Sequence, residues 1–154
     1  MLFSLRKPKI NSISSTSKYP SVLRDRLKIA SLACYVLAFF IPAFYGSSNL
    51  GVHALILGVL GFVENELFIG IVWLANPAYF LSVFLSPKRR KLRYLLSIIA
   101  VILALGVLGI DRIPHERSGN FLYVMPGFGA MLWIASMVLN VLYQRDRYLS
   151  MHRH

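Results

Sequence analysis

Two groups of residues in this chain are of types that could do chemistry. The first is the pair Asn76-Pro77, at the centre of the apolar stretch Leu67 to Leu85. Proline brings no N–H and frees the carbonyl four residues back, that of Trp73, while asparagine adds an amide at the same depth. Broken transporter helices use such freed carbonyls and polar side chains to hold a substrate. The same pair can equally make a plain kink whose polar groups a neighbouring helix satisfies, and for a lone Asn-Pro the kink is the expectation.

The second group is acidic: Glu64, Glu66, Asp111 and Glu116, with His53 and His115 near them in the chain order. Carboxylates with a histidine could ligate a metal or act as acid and base. The spacing argues otherwise. Glu64 and Glu66 fall on different faces of any helix, and Pro114 lies between Asp111 and His115. The chain contains no H-E-x-x-H, C-x-x-C or G-x-S-x-G. No catalytic residue, metal site or cofactor is therefore expected, and the acidic residues read as a solvated rim able to dock a partner by complementary charge. Ser136 and Asn140, four residues apart, share a helix face and suit hydrogen bonds between helices. Cys34 is the single cysteine, so no internal disulfide can form, and it reads as a small packing residue.

These residues are embedded in an unusually apolar chain. Of 154 residues 56% are hydrophobic, and the mean hydropathy is +0.60. Soluble domains run about 45–50% apolar with the apolar residues spread periodically, whereas here they come in blocks. The net charge of +11 would suit a nucleic-acid binder, but its placement does not, because the basic residues flank the apolar blocks as membrane topology requires.

The blocks predict an all-α, polytopic helical membrane protein with four transmembrane helices. The expected spans are Ile29–Tyr45, Leu67–Leu85, Leu95–Ile110 and Phe121–Tyr143. In the last, Pro126, Gly127 and Gly129 push the regular helix towards Phe128. Ala30, Cys34 and Ala38 in the first, and Ala100 and Ala104 in the third, offer small-residue contact faces. Between Val52 and Val63 lies a helix too short to cross about 30 Å of hydrocarbon. It is expected to be re-entrant, interfacial or an extension of the next span, on the outer side.

Lys88, Arg89, Arg90, Lys91 and Arg93 fix the orientation and offer a surface for anionic lipid. With this cluster inside, both termini are cytoplasmic, and of the 17 Lys and Arg only Arg112 and Arg117 fall outside. Residues 1–20 read as a flexible basic cytoplasmic tail preceding a retained anchor rather than a cleaved signal, 21–144 as the transmembrane domain, and 145–154 as a second basic tail.

In size and span count the chain is similar to small bacterial inner-membrane proteins, among them immunity proteins that protect against pore-forming toxins. The functional expectation is a non-catalytic inner-membrane protein that acts by interaction, as an accessory or immunity-type factor. Its partners would be the bilayer, a membrane or secreted protein at the outer face, and a second copy of itself, with no nucleic acid. A small oligomeric transporter or channel built on Asn76-Pro77 is the alternative. A membrane enzyme with an outer acidic and histidine site comes third.

Overall fold

The computed structural model of the chain describes residues 21–46, 51–60, 67–114 and 121–149. It is mostly helical. In chain order the elements are α1 (Ser21–Phe40), β1 (Phe44–Tyr45), α2 (Gly51–Leu60), α3 (Leu67–Trp73), α4 (Ala75–Phe84), α5 (Arg90–Leu105), β2 (Arg112–Pro114), β3 (Phe121–Tyr123), β4 (Met125–Pro126) and α6 (Phe128–Leu149). A single 3-10 turn, Gly106–Gly109, continues α5.

The long helices pack in the order α1–α6–α5–α4. Their shared core is built from Tyr35, Tyr79, Val83, Met137 and the small residues Ala75, Ala78, Ala100 and Ala104. Both alanines expected as a contact face of α5 are fully buried. On α1 the expected stripe is borne out at Ala38 alone, and the rest of the buried face is shifted by one residue. Ser31, Tyr35 and Ala38 are buried, while Ala30 and Cys34 are only half-buried. The reason is polar: Ser31 and Tyr35 each have a hydrogen-bond partner in the interior, and Cys34 needs none.

The exteriors of these helices are apolar. Ile29 and Phe40 on α1, Phe84 on α4, Ile102 on α5 and Phe128 on α6 are all well exposed. Two segments, Leu67–Phe84 and Arg90–Gly109, are long and apolar enough to cross a membrane by length and composition.

The second apolar stretch is kinked but stays helical through Leu74, whose N–H reaches the Gly70 carbonyl and whose carbonyl accepts from the Ala78 N–H. The turn at Leu74 between α3 and α4 lies one residue beyond the carbonyl that Pro77 cannot serve. The fourth stretch becomes helical only at Phe128, and the helix then runs on to Leu149, past the Tyr143 expected as its end. Residues 121–126 are extended instead. β3 pairs antiparallel with β2, and β4 pairs antiparallel with β1, Phe44 opposite Pro126 and Tyr45 opposite Met125. These pairs close one end of the bundle over a second cluster of Phe44, Val72, Val107, Ile110, Ile113 and Val124.

At that end the backbones come very close. Gly51, at the start of α2, lies against the carbonyl of Ala38, where an added Cβ would sit 2.0 Å from the oxygen. Only glycine lets α2 dock on the last turns of α1 in this way.

Candidate functional site

Asn76 lies where four helices meet and is 5% exposed. Its Oδ1 accepts from the Tyr35 hydroxyl of α1 at 2.8 Å and from the Trp133 indole N–H of α6 at 2.9 Å. Its Nδ2 donates to the carbonyl of Trp73 at 3.1 Å. That carbonyl is the one Pro77 leaves without a backbone donor. The side chain before the proline thus fills the gap the proline makes, while α1 and α6 satisfy its oxygen. Tyr35 in turn stacks on Tyr79 with ring centroids 4.8 Å apart, and the Tyr79 hydroxyl meets Ser31 Oγ at 2.8 Å. Ser31 donates to the carbonyl of Ser136, tying α1 to α6.

A second polar group lies one to two turns further along, around Ser82, which is fully buried. Its hydroxyl donates to Tyr79 and accepts from Asn140 Nδ2. Its carbonyl accepts from Arg93 Nε at 2.8 Å and from Gln144 Nε2 at 2.9 Å, and Arg93 Nη2 also reaches the carbonyl of Val83 at 2.9 Å. The last carbonyls of a helix have no partner within it and carry a partial negative charge. Arg93, on the neighbouring helix, supplies donors and positive charge to that end of α4 and is itself 3% exposed.

Arg93 therefore differs from the basic residues beside it. Lys88, Arg89 and Lys91 are exposed and Arg90 is half-buried, whereas Arg93 turns inward. The signal was present in the sequence. Arg93, Ser97, Ala100 and Ala104 recur at helical spacing and are all buried on α5. Gln144 was likewise missed, although it follows Ser136 and Asn140 at intervals of four and all three are buried.

Beyond Asn76, towards the end with the paired strands, the bundle contains a cavity of about 100 Å³. Its wall is almost wholly apolar. Ala54, Leu55 and Gly58 of α2, Ile69 and Val72 of α3, and Val107, Ile110 and Ile113 contribute, with Asn76, Trp73 and Trp133 at one side. The indole of Trp73 donates to the carbonyl of Leu55 at 2.8 Å, so α2 is fastened over the cavity by the tryptophan beneath it. Val52, His53, Ile56 and Val59 on the other face of α2 are exposed.

Of the acidic set only Asp111 lies among the described residues. Asp111 is exposed next to the cavity end, and its carbonyl accepts from the Val124 N–H at 2.9 Å. Glu64, Glu66, His115 and Glu116 lie outside the described residues. Among the described residues no group of His, Cys, Asp and Glu is placed to hold a metal ion, and none of these types is fully buried.

Fold and site together define an all-α bundle with a polar, hydrogen-bonded interior, an apolar exterior, two segments able to span a membrane and an apolar cavity at one end. No protein-family model matches the chain, and neither a curated protein nor a solved structure matches it significantly.

Proposed function

We propose that this chain is a four-span inner-membrane protein with both termini in the cytoplasm, and that it acts by interaction at its outer end rather than by catalysis. α1, the α3–α4 pair, α5 and α6 are the spans. α2 is re-entrant, dipping to the depth of Trp73. The observation that carries this reading is the inversion of polarity. The buried polar side chains tie the helices to one another, while large apolar residues on every long helix face outward. In water so much exposed apolar surface would be a liability, whereas in lipid it is the required exterior.

The charges support the same orientation. The N-terminal end of α1, the α4–α5 turn and the C-terminal end of α6 meet at one end of the bundle and carry Lys28, Lys88–Lys91, Arg145 and Arg147, the inside signature. The opposite end carries Asp111 and a patch of exposed residues on paired strands: Tyr45, Met125 and Tyr123, at 58%, 70% and 79% exposure. Aromatic residues and methionine are typical of contact surfaces, and the outer acidic residues would add charge complementarity at the rim.

The transporter reading has one observation in its favour, the kinked helix beside a cavity. It is weakened by Asn76, whose oxygen is already engaged by two donors.

A photo-crosslinking amino acid placed at Tyr45 or Tyr123, with Ile102 as control, tests the proposal in intact cells. Tyr45 and Tyr123 should each yield one discrete protein adduct, and Ile102 should yield lipid adducts alone. A band at twice the chain's mass would make the partner a second copy. Lipid adducts at all three positions would overturn the outer-end interaction.

A further inference from the structure

The hydrogen bonds of Asn76 leave one group over. Its oxygen accepts twice, and one N–H is given to Trp73. An amide nitrogen carries two hydrogens, so a second donor remains. Asn76 is buried and lines the cavity. A buried donor without an acceptor is costly, and low-dielectric surroundings raise that cost.

The rest of the cavity restricts what could supply an acceptor. Among the described residues no charged side chain lines it, which suits a neutral guest. The walls are hydrocarbon and aromatic, so most of the guest is too. The indole N–H of Trp73 and that of Trp133 are already donated elsewhere, which leaves the Asn76 N–H as the side-chain donor the site can offer. A water held there would want about two to four polar partners. An engineered apolar cavity of about 150 Å³ takes benzene, so about 100 Å³ with an open side suits a small ring or the end of a larger molecule.

We propose that this cavity is a binding site for a small, uncharged, mostly hydrocarbon molecule bearing one carbonyl, which accepts the unused N–H of Asn76 while its apolar body lies against Trp73, Trp133 and α2. The site stands whether or not a protein docks at the outer end, because it uses interior residues only. Its ligand would partition into the bilayer and enter from the side covered by α2.

The two tryptophans are the only ones in the chain, and both line the cavity. Their indole ¹⁵N–¹H signals in detergent micelles therefore report on this site alone. Cyclohexanone and methylcyclohexane are the probes, rings of similar size with and without a carbonyl. Cyclohexanone should move the indole signals along a saturable curve. Methylcyclohexane should bind about fivefold more weakly, the worth of one neutral hydrogen bond. Ala54→Phe and Ile69→Phe fill the cavity from different elements, α2 and α3. Either variant that keeps two dispersed indole signals should lose the saturable response. A merely linear response to cyclohexanone, equal curves for the two probes, or a saturable curve that survives both plugs would each overturn the proposal.

Discussion

The two ends of the bundle solve different problems with the same small stock of polar groups. At the end holding Ser82, the carbonyls left open by the end of α4 are met by Arg93 and Gln144, and buried side chains hydrogen-bond the helices to one another. At the other end, α2, the paired strands and the 3-10 turn surround a cavity, with Gly51 and Gly58 allowing close approach. Asn76 stands between the two. One half is closed by hydrogen bonds and the other is held open by short elements. Such a division lets local stability differ between the two ends.

The division makes ordered predictions. Arg93→Met should be the most damaging, by about 3–4 kcal/mol in a detergent unfolding titration, since it removes two charge-assisted bonds from buried carbonyls. Arg93→Lys should recover only part of this, because an ammonium lacks the planar fork that reaches two carbonyls at once. Equal stability of Arg93→Met and the parent would show that the closed end does not rest on these contacts.

Asn76→Leu comes next, at about 2–3 kcal/mol, because it strands the Tyr35 hydroxyl and the Trp133 indole together. Pro77→Ala alone should change stability by less than about 1 kcal/mol, since Asn76 already serves the Trp73 carbonyl. In the Pro77→Ala background the Asn76→Leu cost should fall, because the restored N–H at position 77 can take over that carbonyl. A double-mutant cycle with no coupling would contradict the account of Asn76 filling the gap that Pro77 makes.

At the open end the effects should be smaller. Gly58→Val drives a side chain into Trp73, whose ring would lie 2.3 Å from the new Cβ. It should lift α2, shift tryptophan emission and cost about 1 kcal/mol, with the closed end unaffected. Asp111→Asn should leave stability within about 0.5 kcal/mol of the parent, as expected for an exposed side chain, and act only on partner capture.

How far the sequence foretold this depends on the kind of interaction. The apolar blocks and the short helix within 52–63 were legible because periodicity and length are local properties. The kink near Asn76-Pro77 was legible because proline's missing donor is local chemistry. Neighbouring helices were expected to satisfy the pair's polar groups, and Tyr35 and Trp133 do so for the Asn76 oxygen, whereas the Trp73 carbonyl is met by the asparagine itself. The pairing of Phe44 with Pro126 was invisible, because two-residue strands carry no pattern and their partners are far apart in the chain. Arg93 hid among four similar neighbours, since charge type alone does not show which member of a cluster turns inward. Only its phase with Ser97, Ala100 and Ala104 does.

The central claim is that the closed, basic end faces the cytoplasm and the open end faces out. It is tested most directly by thiol accessibility in intact cells, in a chain with Cys34→Ala. Ser86→Cys, in the exposed turn between α4 and α5, should resist a membrane-impermeant maleimide until the cells are opened. Asp111→Cys, exposed at the opposite end, should react at once. Immediate labelling at Ser86→Cys, or protection of both positions, would contradict the orientation and with it the assignment of the cavity end to the outer face.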